Sequence, residues 1–152
     1  MNFHGALGHM LAVDPTLAEV MIAGVAKYDP GMGISTIPHG QTTRAAKRHG
    51  LPCVGTFFAD RAYGPDGKLV GRGGPGAVIE DNEAVATRVM RFLDDGTVPR
   101  TDGKPLRLEA RSVLVHSDTP SAANHARAVR IAVEGAGGRI VPLAELFGHA
   151  GA

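Results

Sequence analysis

The sequence has no tryptophan, only one cysteine (Cys53), and no long apolar run. A single cysteine excludes a disulfide within the chain and also a cysteine-rich zinc site. Cys53 lies in the apolar run 52–58, which favours a buried, unreactive thiol over a nucleophile. No stretch approaches the roughly 20 apolar residues of a membrane helix, and no signal-peptide pattern is present. We therefore expect a cytoplasmic protein with no membrane association.

The chain also has almost no net charge, because 16 Lys and Arg residues are balanced by 15 Asp and Glu residues, which leaves +1. Without a basic block, the chain has no electrostatic footprint for nucleic acid. A hydrophobic content of 43% in 152 residues is typical of a folded protein with one core. We therefore predict a single domain over residues 1–152.

Apolar runs and helical patterns alternate along the chain. The predicted helices cover residues 15–27, 41–49, 81–96, 119–135 and 143–147. The predicted strands cover residues 31–37, 51–58, 111–115 and 139–142, and residues 97–109 form a polar loop. This alternation predicts an α/β fold with a parallel sheet and flanking helices, in which ligands bind at the carboxyl ends of the strands.

Ionisable residues follow the predicted strand 51–58 directly. Asp60 and Arg61 are adjacent, so only one of them is expected to face a site at the strand's end. The alternative is that Asp60 caps a turn and Arg61 forms a surface ion pair. Tyr63 lies two positions beyond Arg61. It either donates a hydrogen bond from its hydroxyl group to the site or packs at the rim of the site. The turn signal 65–67 indicates a small excursion or hairpin after the strand.

A second polar group follows the predicted strand 111–115. His116 and Asp118 are two positions apart, on one side of an extended segment. A neighbouring carboxylate orients an imidazole and makes it a general acid or base. The alternative is that Asp118 caps the helix that begins at Thr119.

Three further features bear on chemistry. Gly5 after His4 allows a ligand to approach the backbone closely. The glycine-rich segment 72–76 either holds an anion, with Arg72 as the counter-charge, or forms a plain turn; it lacks the Lys-Ser/Thr of a phosphate loop. The spacing of the remaining histidines suggests no metal site. They are His9, His39, His49, His125 and His149.

Four segments, in this order, carry a resemblance to a known family. They are His4-Gly5-Ala6-Leu7 with Asp14-Pro15; Phe58-Ala59-Asp60-Arg61-Ala62-Tyr63 with Pro65-Asp66-Gly67-Lys68-Leu69-Val70; Arg72 with Pro75-Gly76-Ala77-Val78-Ile79; and Val115-His116-Ser117-Asp118-Thr119-Pro120. In these segments the sequence resembles the LamB/YcsF family, the A subunits of 5-oxoprolinase. The second segment is the most diagnostic.

The resemblance implies a deacetylase-like (β/α) barrel and an enzyme that, with partner subunits, opens 5-oxoproline (pyroglutamate) to glutamate using ATP. ATP is then expected on the partner subunits, and no metal is implied by the residues. The implied catalytic residues are His4, Asp60, His116 and Asp118. The implied substrate-binding residues are Arg61, Tyr63 and Arg72, with Arg61 or Arg72 on the substrate carboxylate.

The sequence departs from the family pattern in two ways. The resemblance covers only the family's carboxyl-terminal portion, and 152 residues are fewer than the roughly 250 of a complete barrel, so an incomplete barrel is expected. The family's Lys-Pro-His-Gly-Ala-Leu-Tyr-Asn reads Asn-Phe-His-Gly-Ala-Leu-Gly-His over residues 2–9, and its His-Gly-Asp reads His-Ser-Asp over residues 116–118. These changes suggest weakened or altered activity.

Two alternatives to a complete hydrolase follow. One is a truncated, non-catalytic family member that binds a small carboxylate or a partner protein. The other is a site completed by a separate chain or a second copy. Because an open half-barrel exposes sheet edge and apolar surface, we expect a homo-oligomer.

Overall fold

A computed structural model describes residues 1–148 of the chain. The chain forms two compact units. The first unit contains Met1–Phe57, Glu109–Ser112 and Val141–Ala152, the last of these described as far as residue 148. The second contains Phe58–Leu108 and Val113–Ile140.

The first unit is mainly helical. Helices α1 (Gly5–Val13), α2 (Pro15–Tyr28) and α3 (Gln41–Arg48) surround strand β1 (Ile34–Thr36), and α6 (Leu143–Gly148) is its last helix. Asp14 begins α2 because its carboxylate accepts hydrogen bonds from the first-turn backbone N–H groups. The core contains aliphatic side chains from all of the first three helices and from β1. Its buried members are Leu11, Ala18, Ile22, Val25, Ile34, Ala45, Ala46 and Leu51.

The second unit packs α4 (Asn82–Asp95) against α5 (Ala122–Gly135). Strands β3 (Thr97–Pro99) and β4 (Pro105–Arg107) form an antiparallel hairpin in which Val98 pairs with Leu106. Asp81 caps the start of α4, and Gly96 ends that helix with a φ of +72°, a left-handed conformation that glycine adopts without strain.

Two strands have residues in each unit: β2 (Cys53–Phe58) and β5 (Ser112–Leu114). The strand order is β1-β2-β5, and β1 pairs with β2 in parallel, with Ile34 opposite Cys53. In the first unit the Arg111 N–H donates to Gly55 O at 3.0 Å, and in the second the Ala59 N–H donates to Leu114 O at 3.0 Å. The predicted α/β class, with a parallel sheet and flanking helices, is confirmed.

Most of the predicted elements are confirmed, with shifted ends, but two predictions are wrong and one helix was not predicted. Residues 5–13 form a helix that the pattern did not indicate, and the predicted loop 97–109 contains the hairpin β3–β4. Residues 139–142 form no strand, and α5 begins at Ala122 rather than at Thr119.

Within residues 1–148, no individual helix has the length and apolar composition to cross a membrane. Helices α1 and α2 meet those two criteria when taken together, and they are bent by 113° at their junction.

Candidate active site

A buried carboxylate and a half-buried imidazole form the centre of the candidate site, which lies within the second unit. Asp60 Oδ1 and Oδ2 lie 2.9 and 3.0 Å from His116 Nδ1. Asp60 Oδ2 also accepts the backbone N–H of His116 at 2.8 Å. The Asp60 side chain is 1% exposed and that of His116 is 22% exposed. The carboxylate is therefore shielded, while the imidazole reaches solvent.

The bond to Asp60 determines which ring nitrogen of His116 is available. A carboxylate only accepts hydrogen bonds, so Nδ1 carries the proton and the neutral ring has its lone pair on Nε2. Within residues 1–148, no side chain or backbone group bonds to that Nε2. The Phe58 ring lies beside the imidazole, with ring centroids 5.8 Å apart. The arrangement is that of a general base that becomes a general acid after it takes a proton.

Two backbone hydrogen bonds hold the segment that carries Asp60 in place. Asp60 O accepts the Ile79 N–H at 2.9 Å, and the Ala62 N–H donates to Ala77 O at 3.0 Å. His116 comes two residues after β5. The two partners therefore meet because each follows a strand of one sheet, as the sequence predicted for ligand-binding residues in parallel folds.

Arg72 and Asp118 form a second polar pair in this unit. Arg72 Nη1 and Nη2 donate to the two Asp118 carboxylate oxygens at 2.5 and 3.2 Å. The guanidinium lowers the pKa of Asp118 below its ordinary value, chiefly through these hydrogen bonds. Neither interpretation of Asp118 from sequence describes this contact: the carboxylate that orients His116 is Asp60, and the residue at the cap of α5 is Ser121.

Arg61 is buried in the second unit and its guanidinium bonds to backbone. Nε donates to Ala77 O at 3.2 Å and Nη2 donates to Val70 O at 2.5 Å. The residue is 2% exposed, and burial lowers its pKa. Arg61 thus tethers the excursion after β2 to the segment that carries Asp60.

Tyr63 is also buried, with no exposed surface. Its hydroxyl accepts the Phe58 N–H at 3.1 Å, and burial raises its pKa to about 12. Its backbone bridges to Leu69 in antiparallel sense, which confirms the predicted hairpin over this excursion. Arg61 and Tyr63 are thus both buried, and their side-chain polar groups bond to backbone groups of the second unit.

Arg88 on α4 supports the site in a way that the sequence analysis missed. Its guanidinium donates to Ala59 O at 3.3 Å, to Arg61 O at 2.9 Å and to Pro99 O at 3.3 Å. It therefore holds the backbone on both sides of Asp60. A signal was available, since Arg88 falls in the apolar stripe of α4 with Val85 and Val89, where a solvated arginine is not expected.

Other residues singled out in the sequence lie elsewhere. His4 is exposed in the first unit, at the residue before α1, and makes no side-chain capping bond. His125 is fully buried and its Nε2 bonds to Glu80 O at 3.0 Å. Cys53 is half-buried, and burial raises the pKa of its thiol, as expected for an unreactive group. His149 lies outside the described residues.

Residues 1–148 contain no group of three or more His, Cys, Asp or Glu side chains placed to hold a metal ion. In the glycine-rich segment 72–76, Arg72 is engaged by Asp118. The segment therefore does not present a free phosphate-binding cation.

Comparison with known proteins identifies relatives of the chain. Residues 1–148 match the model of the LamB/YcsF family. A 5-oxoprolinase A subunit of Agrobacterium fabrum, the second of that name in the organism, is 44% identical over 144 residues, 95% of this chain and 56% of the relative. The 5-oxoprolinase A subunit of Pyrococcus abyssi is 37% identical over 145 residues, 95% of this chain and 57% of the relative.

A solved structure is also similar. The crystal structure of the lactam utilization protein from Thermus thermophilus superposes with a TM-score of 0.82 at 34% identity, covering 91% of this chain and 55% of that one. The chain thus spans a little over half the length of the proteins it matches. A family model that matches residues 1–148 and relatives of this identity lead to one conclusion: the chain belongs to the LamB/YcsF family.

Proposed function

We propose that this chain supplies the acid–base residues of a 5-oxoprolinase that hydrolyses 5-oxoproline to glutamate. The observation that carries the proposal is the Asp60–His116 pair, with Nδ1 bonded to a shielded carboxylate and Nε2 open. The names of its relatives, the 5-oxoprolinase A subunits and the lactam utilization protein, support a lactam as the substrate class.

The chemistry of a five-membered lactam matches what such a pair provides. The ring amide is resonance-stabilised, so its hydrolysis needs an activated water and a proton for the leaving nitrogen. In the proposed reaction, His116 Nε2 takes a proton from water as the water oxygen bonds to the carbonyl carbon. The same Nε2 then returns that proton to the ring nitrogen as the C–N bond breaks. Asp60 stabilises the imidazolium between the two steps.

Arg72 is the residue that we propose for the substrate carboxylate. It is 45% exposed, whereas the guanidinium of Arg61 is enclosed and bonded to carbonyl oxygens. Both oxygens of the Asp118 carboxylate bond to the Arg72 guanidinium. A substrate carboxylate would replace Asp118 and form the same bidentate pair with Arg72. His4 remains a candidate catalytic residue.

ATP and further subunits belong to the same proposal. The described residues lack a phosphate loop, and we propose that partner subunits bind the ATP. The relatives are named as one lettered subunit of 5-oxoprolinase, which supports an enzyme of several subunits. We further propose that the three-stranded sheet is part of a (β/α) barrel that other residues or a second copy complete, in a homo-oligomer.

The proposal is tested with the purified chain and its partner subunits, by measuring glutamate released from 5-oxoproline in the presence of ATP. We expect activity in the wild type and its loss in His116→Gln. His49→Gln is the matched control, because His49 is an exposed histidine of the first unit that pairs with Glu19. Turnover by His116→Gln at the wild-type rate would contradict the proposal.

The second candidate is a non-catalytic family member that binds a small carboxylate or a partner protein. The internal bonding of Arg61 and Tyr63 favours it, since two of the three expected substrate contacts are used within the unit. Stabilisation of the chain against heat by 5-oxoproline, with no glutamate formed alongside active partner subunits, would identify this candidate.

A further inference from the structure

A cavity in the first unit is separate from the residues of the proposed reaction. Its volume is about 340 Å³, within the range of small-molecule sites. It lies beside α3, the start of β2, the segment Glu109–Ser112 and α6. We refer to it as the basic cavity, and its charged lining residues are Arg44, Lys47, Glu109 and Arg111.

The charge of the basic cavity is strongly one-sided. Arg44, Lys47 and Arg111 are permanently or normally cationic, and Glu109 is the one carboxylate that lines the cavity within the described chain. Within residues 1–148, none of these four side chains forms an ion pair. Two positive charges therefore remain uncompensated at one concave surface, although the whole chain carries a net charge of only +1.

The local structure places these cations together. Arg44 and Lys47 are three residues apart on α3, and thus on one face of the helix. Arg111 lies alongside β2 because its N–H donates to Gly55 O at 3.0 Å. A Cβ on Gly55 would lie 2.1 Å from Glu109 O, so only glycine lets the segment Glu109–Ser112 run this close. The sequence thus brings a cation from a distant segment to the face of α3.

One residue that lines the basic cavity also has a strained backbone conformation. His39 lines the cavity with a φ of +67°, and within residues 1–148 it is the only residue other than glycine with a positive φ. Strained conformations of this kind cluster at functional sites.

Part of the remaining wall is apolar, beside the polar residues His39 and Thr43. Pro38, Val54 and Leu146 line it, together with the thiol of Cys53. Burial raises the pKa of that thiol, so Cys53 is neutral and adds no negative charge. A bare inorganic ion would leave this wall in contact with water.

From this combination we infer that the basic cavity binds a small organic phosphate monoester. The phosphate group carries a charge of about −1.5 to −2 at neutral pH, which matches the two uncompensated cations. Arginine forks bind such a group through paired N–H donors. The organic part would cover the apolar wall, and Glu109 would accept a hydrogen bond from a hydroxyl group. This inference goes beyond the proposed hydrolase and does not depend on it.

The test is isothermal titration of the full chain with adenosine monophosphate, ribose 5-phosphate, inorganic phosphate and glutarate at constant ionic strength. We expect saturable binding of at least one monoester, tighter than that of inorganic phosphate or glutarate. Arg44→Gln and Arg111→Gln should each weaken binding about tenfold, the loss of one charge-assisted bond. Both side chains are exposed, so the variants keep the fold.

Lys27→Gln is the matched control, since Lys27 is an exposed lysine of the same unit that does not line the cavity. If it weakens binding as much as Arg111→Gln does, the effect is general electrostatics and the inference is overturned. Absence of saturable binding in the millimolar range overturns it as well. Binding of inorganic phosphate or glutarate as tight as that of the monoesters overturns the assignment to an organic phosphate. None of these measurements requires turnover, so their outcome is independent of the hydrolase assay.

Discussion

The substitution Asp60→Asn tests the candidate site most directly, because it keeps the side-chain shape and changes one acceptor into a donor. In the wild type, the Asp60 carboxylate accepts from both the His116 backbone N–H and Nδ1. An asparagine has one oxygen and one NH₂ group, so it satisfies only one of these two donors. If the oxygen keeps the backbone N–H, the NH₂ group faces Nδ1. The ring then moves its proton to Nε2, and the base is lost.

The expected magnitudes follow from this geometry. The alternative orientation leaves a donor unpaired at a carboxylate position that is 1% exposed, and an unsatisfied buried group costs about 1–3 kcal/mol. For a chain of this size, that corresponds to a fall in melting temperature of about 2–12 °C. If the proposed hydrolase is correct, loss of acid–base catalysis lowers kcat about 10²–10⁴-fold.

Nitrogen NMR of the labelled chain gives the clearest result, because the ring nitrogens of the two neutral tautomers have different chemical shifts. We expect the Nδ1–H form of His116 in the wild type and the Nε2–H form in Asp60→Asn, with melting temperature measured alongside. Asp94→Asn is the matched control, an exposed aspartate on α4. A His116 that keeps Nδ1–H in Asp60→Asn, with an unchanged melting temperature, would refute the reasoning.

Three further substitutions have defined outcomes. Arg88→Met removes the donors to three backbone carbonyls, so urea denaturation should show a loss of about 3 kcal/mol or more; a loss below about 1 kcal/mol would contradict the supporting role. The pKa of Tyr63 is about 12 in the folded chain and about 10 in the unfolded chain. The contribution of the neutral Tyr63 side chain to the stability of the fold is therefore complete below pH 10 and is lost toward pH 12. Wild-type stability should therefore fall by about 3 kcal/mol more than that of Tyr63→Phe across this interval, and parallel curves would argue against it. Asp118→Asn releases Arg72 from an exposed ion pair, so 5-oxoproline should bind about two- to fivefold more tightly in calorimetry, whereas weaker binding would show that Asp118 is itself a substrate contact.

Helices and strands could be predicted from the sequence wherever the local signals agree with the tertiary packing. Helices α2 and α4 have capping aspartates, Asp14 and Asp81, before an apolar periodicity, and both were predicted close to their observed bounds. Helix α1 was missed because it has no side-chain cap and apolar residues almost all round. The segment 139–142 looked like a strand, but it follows Gly137 and Gly138 and its Ile140 is 43% exposed. Without a neighbouring strand to bury it, an apolar run of this length does not specify a strand.

The candidate site was also predictable in part, where a general rule of parallel sheets applies. That Asp60 and His116 lie at one edge of the sheet follows from the rule that parallel strands end together. The partner of Asp118 was not predictable, because Arg72 lies 46 residues away on an excursion whose path depends on buried bonds. Those bonds come from Arg61, for which the sequence left open a surface ion pair.

The two buried arginines explain how a shielded carboxylate keeps its capacity to act on an imidazole. Arg61 and Arg88 are close enough to Asp60 to attract it electrostatically, and the carboxylate in turn favours their charged forms. Their N–H groups are nevertheless used by backbone carbonyls. Positive charge is thus present near Asp60 without occupying its lone pairs, which remain for His116. A guanidinium chelated directly by Asp60 would compete for those lone pairs and leave the imidazole without a fixed tautomer.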